Sequence, residues 1–253
     1  MPIAINLSAK IVLITGASQG IGAQIARTFH AAGATIVLNH VGLKSTKEDA
    51  EKLSEELNDL RERSTLVVAA DVADAEQVQA MMQQIRESYN GLDFLINNAA
   101  ILRDKTIAKM TLDEWHSVMN VNLNGVFHCC KFGLEIMRDN GAIVNMSSIT
   151  AIVGFYGQSN YAAAKAGVAA MTRVLARETG RRNIRVNAIA PGVIKTAMSA
   201  TIPENVRAEM LKNVPLSRFG EPREIAEVSL FLCSPLASYI SGQIIEVNGG
   251  WRG

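Results

Sequence analysis

The sequence predicts a single α/β domain over residues 1–253, with a doubly wound parallel sheet of about seven strands and helices on both faces. Short runs rich in β-branched residues alternate with longer helical patterns. The first six of these runs are almost continuously apolar, which is typical of parallel strands covered on both faces. No Pro/Gly/Ser-rich linker or internal repeat divides the 253 residues, and 48% of them are hydrophobic, enough for one large core.

Each element follows from a local pattern. The predicted strands are KIVLIT, TIVLN, TLVVAA, LDFLIN, GAIVNMS, NIRVNAIA and QIIEV. The predicted helices span about 20–32, 44–63, 74–89, 111–138 and 158–180. All prolines except Pro2 follow residue 190, in a long stretch with one short helical pattern. We therefore expect a substrate loop at about 192–216, since long connections usually carry function.

Composition excludes several classes of partner. The chain has 25 basic and 24 acidic residues, so its charge gives no reason to expect nucleic acid or an anionic membrane. No apolar run approaches the length of a bilayer span, and no signal peptide precedes the first strand, which predicts a cytoplasmic protein. Cys129, Cys130 and Cys233 form a poor disulfide framework, and no ligand spacing indicates a metal site.

A glycine-rich turn follows the first strand directly. Gly16, Gly20 and Gly22 have the spacing G-x-x-x-G-x-G and lead into an amphipathic helix. Glycines at such a turn let the backbone approach a pyrophosphate, whose charge the helix N-terminus stabilises. The turn lacks the lysine of a P-loop, so it predicts a dinucleotide rather than ATP, on a Rossmann-type sheet.

Tyr161 and Lys165 lie four residues apart in an alanine-rich helix, so both should project from one face. A neighbouring ammonium favours the phenolate, which would lower the pKa of the tyrosine towards the range of acid–base catalysis. Taken alone, the same spacing also fits an ordinary exposed pair on a helix surface.

Four motifs occur in order along the whole chain: TGASQGIG, the NNAA of residues 97–100, the MSS ending at Ser148, and YAAAK. Together they resemble the classical short-chain dehydrogenase/reductase family. The segments AAILRDKTIAKMTLDEW, GQSNYAAAKAG and ISGQIIEVNGG are similar to those of 3-oxoacyl-(acyl carrier protein) reductases and acetoacetyl-CoA reductases. Members that act on other small ketones, sugars or steroid alcohols stay open, as do a nicotinamide-binding regulatory protein and a purely structural subunit.

The resemblance implies a catalytic tetrad of Asn122, Ser148, Tyr161 and Lys165. It implies that Ser148 orients the substrate carbonyl and that Tyr161 delivers the proton, or removes it in the oxidative direction. Lys165 would acidify Tyr161 and bind the nicotinamide ribose, and Asn122 would hold a water that relays protons to Lys165.

The resemblance also implies a nicotinamide cofactor. The residues expected to contact it are Gly16, Ser18, Gln19, Gly20, Ile21, Gly22, Asn39, His40, Lys44, Asp71, Val72, Asn98, Ala99, Tyr161, Lys165, Pro191, Gly192, Ile194 and Thr196. The second strand ends without a carboxylate, while His40 and Lys44 are suited to a phosphate, which favours NADP over NAD. Gln19 replaces an arginine that many NADP-using relatives have.

Family resemblance extends to partners. Relatives form tetramers through the tyrosine helix, the preceding helix near Val126 to Ile136, and the last strand; we expect a homotetramer with the GGWRG end near a subunit boundary. Relatives that bind acyl carrier protein use basic residues where this chain offers Arg138, Arg181 and Arg182. Carrier protein, coenzyme A thioesters and unrelated ketones stay open as substrates.

Overall fold

The computed structural model describes residues 5–200 and 202–251. Residues 1–4, 201 and 252–253, which belong to the predicted domain, substrate loop and GGWRG end, lie outside them. One parallel sheet has the order β3-β2-β1-β4-β5-β6-β7. Its strands are β1 Ile11–Ile14, β2 Thr35–His40, β3 Thr65–Ala69, β4 Leu92–Asn97, β5 Met137–Met146, β6 Arg185–Pro191 and β7 Ile244–Val247. The predicted doubly wound architecture is confirmed.

Helices cover both faces of this sheet. They are α1 Gly20–Ala31, α2 Lys44–Leu60, α3 Ala75–Tyr89, α4 Leu112–Met119, α5 Gly125–Ile136, α6 Thr150–Val153, α7 Ser159–Glu178, α8 Ala197–Ala200, α9 Glu204–Lys212 and α10 Pro222–Cys233. No helix in the described ranges is long and apolar enough to cross a membrane.

Strand alternation builds one apolar core on each face, because successive strand residues point to opposite sides. Val12 and Ile14 pack with α1, α2 and α10 in one cluster, whereas Ile11 and Leu13 pack with α3, α5 and α7 in the other. The central strands are therefore buried on both faces, which is why they read as continuous apolar runs.

The predicted elements need three corrections, one of them an added helix. The single helix expected over 111–138 is broken into α4 and α5 by a π-helical turn, Asn120–Asn124, which directs the buried Asn122 into the protein. β5 begins four residues earlier than expected, because Met137 pairs with Leu92 before the regular ladder starts at Ala142. The prediction also missed α10, where Pro222 occupies the first turn and therefore starts a helix rather than a loop.

Candidate active site

A cleft of about 750 Å³ opens at the carboxyl ends of the strands, where the strand order reverses between β1 and β4. Most of the predicted site residues line it: Gly16, Ser18, Gln19, Gly20, Ile21, Asn39, His40, Asp71, Val72, Asn98, Ala99, Ser148, Tyr161, Lys165, Pro191, Gly192, Ile194 and Thr196. Three predicted residues, Gly22, Lys44 and Asn122, are not part of the lining.

The glycine turn between β1 and α1 needs its glycines for two separate reasons. Gly16 and Gly20 have φ angles of +61° and +56°, in the left-handed region that favours glycine. A methyl group at Gly22 would lie 2.3 Å from the Gly16 carbonyl oxygen, so Gly22 lies directly behind the turn. No side chain caps α1, and its first N–H groups open onto the cleft wall. This turn fits the pyrophosphate of a dinucleotide.

Two asparagines hold the turn in place. The Asn39 side chain accepts a hydrogen bond from Gly16 N (3.2 Å) and donates to the Ala70 carbonyl (3.0 Å). The Asn98 amide donates to the carbonyls of Thr15 (2.9 Å) and Gly16 (3.1 Å). Both amide nitrogens thus donate to backbone carbonyls, so these residues shape the turn.

The end of β2 differs from the sequence expectation. His40 is buried, its Nδ1 accepts from Gly42 N (3.1 Å), and burial lowers its pKa, so its ring is neutral at pH 7. Lys44 is 91% exposed and lies 3.9 Å from Glu48, outside the cleft. Neither residue presents a fixed charge to a phosphate, because Lys44 begins α2 and its side chain points to solvent.

The other cofactor-side segments are held by short loops. Asp71 accepts a hydrogen bond from Ala73 N (2.9 Å), which positions the loop after β3. After β6, Lys195 N donates to the Gly220 carbonyl (2.9 Å). Thr196 packs at 3.6 Å from the position of a methyl group at Gly20, so this loop reaches the glycine turn.

Tyr161 and Lys165 project from the same face of α7, as their spacing predicts. Lys165 is 1% exposed, and its ammonium lies 5.6 Å from the centre of the Tyr161 ring and donates to the Met146 carbonyl (2.7 Å). Burial lowers the pKa of Lys165 to about 8. Burial also raises the pKa of the half-buried Tyr161 to about 12, which is the opposite of the expected shift. A hydrogen bond with the Ser148 hydroxyl lowers this pKa in part, and the negative charge of Asp104 raises it further.

Ser148 and Asn122 take different positions. Ser148 lines the cleft at the end of β5, and its Oγ accepts from Thr150 N (3.2 Å), which leaves the hydroxyl hydrogen to donate elsewhere. Asn122 is fully buried, and its side chain makes two 2.9 Å bonds with the backbone of Ile101. These two bonds position the loop after β4.

A polar chain at the substrate end was missed from the sequence. Thr150 Oγ1 donates to Gln158 Oε1 (3.1 Å), and Gln158 Nε2 donates to the Asp104 carboxylate (2.8 Å). All three residues line the cleft near Tyr161. Only the position of Gln158 three residues before Tyr161 hinted at this role, because residues so spaced share a helix face.

Comparison with known proteins places this geometry in a family. The model of the family described as Enoyl-(Acyl carrier protein) reductase matches residues 16–252. The structure of a short-chain dehydrogenase/reductase from Brucella melitensis, named as a glucose/ribitol dehydrogenase, superposes with a TM-score of 0.93 at 34% identity, covering 99% of this chain and all of the other. This chain belongs to the short-chain dehydrogenase/reductase family. It is therefore an oxidoreductase that uses a nicotinamide cofactor, as the four sequence motifs predicted.

Several relatives of this chain are named for a particular reaction or bound cofactor. The 3-oxoacyl-[acyl-carrier-protein] reductase of Thermotoga maritima is 42% identical over 247 residues, 97% of this chain and 98% of the relative. That of Staphylococcus aureus is 42% identical over 243 residues, 95% and 97% of the two chains. A blue fluorescent protein from a metagenomic library, solved in complex with NADPH, has a TM-score of 0.93 at 35% identity, covering 98% of this chain and all of that one.

The arginines predicted to meet a carrier protein are largely engaged inside this chain. Arg138 pairs with the buried Asp93 at 2.6 Å and donates to the Tyr89 carbonyl. Arg182 pairs with Asp139 at 2.9 Å and donates to the carbonyls of Leu134 and Met137. Arg138 ties the start of β5 to β4 and the end of α3, and Arg182 ties the end of α5 to the start of β5, so the first role of both is structural.

Proposed function

We propose that this protein is an NADP-dependent reductase that converts a 3-oxoacyl thioester to the 3-hydroxyacyl form. The observation that supports this most is the convergence of Ser148, Tyr161 and Lys165 in one cleft beside the glycine turn, in a chain about 40% identical over its length to named 3-oxoacyl reductases. The nicotinamide cofactor would supply a hydride to the carbonyl carbon. The protein's side chains would supply the proton and orient the carbonyl.

Those side chains have chemically distinct tasks. In reduction, Tyr161 acts as the acid, and a raised pKa keeps its phenol protonated at pH 7. Ser148 donates to the carbonyl oxygen, since its Oγ accepts from Thr150 N and its hydroxyl hydrogen is left to donate. The Lys165 ammonium stabilises the phenolate left after proton transfer and binds the nicotinamide ribose, and Asn122 acts indirectly by orienting Ile101.

NADP preference rests on what is absent from the end of β2. No carboxylate occurs between Asn39 and Leu43, so nothing there repels a 2'-phosphate. His40 is neutral and Lys44 points outward, so backbone N–H groups, rather than a fixed cation, would be the partners of the phosphate. We therefore propose NADP as the cofactor, with NAD as the alternative.

We also propose a single domain, a cytoplasmic location and a homotetrameric assembly for this protein. Residues 1–253 form one dinucleotide-binding and catalytic domain whose substrate loop spans about 192–216, with α9 as its helical part. The three cysteines are buried free thiols, which suits the cytoplasm. β7 is an edge strand of the sheet, and a homotetramer would cover it.

The carrier of the acyl group is a separate question. Because Arg138 and Arg182 already hold the chain's own carboxylates and carbonyls, we expect acyl carrier protein to give no salt-sensitive advantage over coenzyme A. Comparing one 3-oxoacyl group on both carriers, at low and high salt, tests this. A carrier-protein preference that salt abolishes would mean that these or other basic residues bind the partner.

A substrate panel tests the proposed function. NADPH oxidation is followed with 3-oxoacyl thioesters, simple ketones and oxidised sugars at equal concentration. We expect the thioesters to give the highest kcat/KM and NADH to support a lower one. Reduction of a simple ketone with thioesters inactive would point to another branch of the family, and binding of NADPH with no reduction of any carbonyl would favour a regulatory protein.

A further inference from the structure

A third apolar cluster lies beside the cleft, away from the two sheet cores. Ile149, Val214 and Trp251 are buried in it, and the partly buried Val153, Phe155, Val193 and Met210 pack against them. The cluster joins four stretches far apart in sequence: the segment after β5, the loop after β6, the α9 region and the turn after β7. It therefore links the substrate loop to the end of the described chain.

Phe155 and Trp251 form the centre of this cluster. Their ring centroids are 5.2 Å apart and the rings are tilted by 46°. Phe155 lines the substrate cleft, whereas Trp251 lines a second cavity of about 1020 Å³, and Val193 borders both cavities. The aromatic pair is thus a wall of the cleft, with Phe155 facing the substrate side and Trp251 behind it.

The turn after β7 holds Trp251 in this position. The Asn248 side chain donates to the Trp251 carbonyl (2.9 Å) and accepts from Gly250 N (3.0 Å). Gly249 has φ +70°, and a methyl group there would lie 2.7 Å from Val214 Cγ1. The turn therefore packs closely on Val214, just beyond α9, and its hydrogen bonds hold the backbone that places the Trp251 ring against Phe155.

The side chains of this wall are suited to binding an aliphatic chain. Ile149, Phe155, Val193, Ile202 and Met210 all line the cleft next to Ser148 and Tyr161, and none of their side chains pairs with a hydroxyl or a charge. Against these five side chains a polyol would leave hydroxyl groups without protein partners, which is costly once water is displaced, and the nearby polar chain of Thr150, Gln158 and Asp104 is hydrogen-bonded within itself. An alkyl chain would bury its methylenes against these side chains.

We propose that this wall takes the acyl chain of the substrate, and that Trp251 is a positioning residue that sets the preference for chain length by supporting Phe155. The inference rests on the proposed function and adds to it a class of substrate, thioesters with chains beyond four carbons. Burying one methylene contributes about fourfold to binding, so extending the chain from four to eight carbons should raise kcat/KM through a lower KM.

The experiment compares 3-oxobutanoyl and 3-oxooctanoyl thioesters of N-acetylcysteamine, with NADPH, in the full chain. We expect Trp251→Ala and Phe155→Ala to lower the octanoyl-to-butanoyl ratio of kcat/KM by about tenfold or more, mainly through KM. Trp251→Phe should restore most of the ratio. Tyr156→Ala is the matched control, because Tyr156 is the next aromatic residue but is 92% exposed and lines neither cavity.

A fluorescence measurement covers the case in which Trp251→Ala does not fold. Trp115→Phe leaves Trp251 as the only tryptophan, and with NADP present no reduction occurs. The octanoyl thioester should change the emission of Trp251 and the butanoyl thioester should not. An unchanged ratio in a folded Trp251→Ala protein, or no emission change, would overturn the inference while thioester reduction stands. Wild type that reduces neither thioester would overturn the proposed function as well.

Discussion

Lys165 is a buried charge in a fold of marginal stability, and replacing it with methionine should make the protein more stable but inactive. Burial lowers its pKa from 10.5 to about 8, which corresponds to about 3 kcal/mol of destabilisation while the ammonium is charged. Lys165→Met removes that cost but leaves the Met146 carbonyl without its donor, a loss of about 1 kcal/mol. The variant should gain about 2 kcal/mol in the free energy of unfolding at pH 7.

The sign of the pH dependence makes this prediction specific. Between pH 8 and 10.5 the unfolded chain binds more protons at Lys165 than the native protein does, so wild-type stability rises with pH in that window. The advantage of the variant should therefore shrink from pH 7 to pH 10.

Urea unfolding of both proteins without cofactor, at one protein concentration, measures the difference. Lys44→Met is the control, because Lys44 is 91% exposed and its loss should not alter the pH dependence. A Lys165→Met protein that is less stable at pH 7, or a difference that is the same at both pH values, would refute the reasoning.

Three further predictions concern catalysis, cofactor choice and assembly. Tyr161→Phe should keep NADPH affinity, measured by fluorescence titration, and lose about 100-fold to 10,000-fold in kcat; near-normal kcat would exclude Tyr161 as the acid. His40→Asp should flatten or reverse the NADPH preference in kcat/KM, since a carboxylate repels the 2'-phosphate and can still accept from Gly42 N. The uncharged His40→Asn should leave that preference unchanged. Equal effects of the two substitutions would show that charge at this position does not decide the cofactor. Light scattering at micromolar concentration should give about four times the chain mass of 27.3 kDa, and a monomer mass would contradict the tetramer.

Local patterns predicted most of the fold. Continuous apolar runs identified the central strands, because a strand covered on both faces has no polar side. The glycine turn was also predictable, since Gly16 and Gly22 meet steric demands that no other residue satisfies. Spacing predicted that Tyr161 and Lys165 share a helix face. The α10 helix had a readable signal too, in Ile225, Ala226 and Ser229 at helical spacing after Pro222.

The sequence by itself thus determined the family, the doubly wound parallel sheet and the identity of the candidate reacting side chains. Tertiary structure alone decided how these groups behave, because burial and partners depend on distant segments. It made Lys165 donate to Met146 and raised the pKa of Tyr161 instead of lowering it. It also brought Trp251 from the end of the chain against Phe155, a contact across 96 residues that no local pattern encodes.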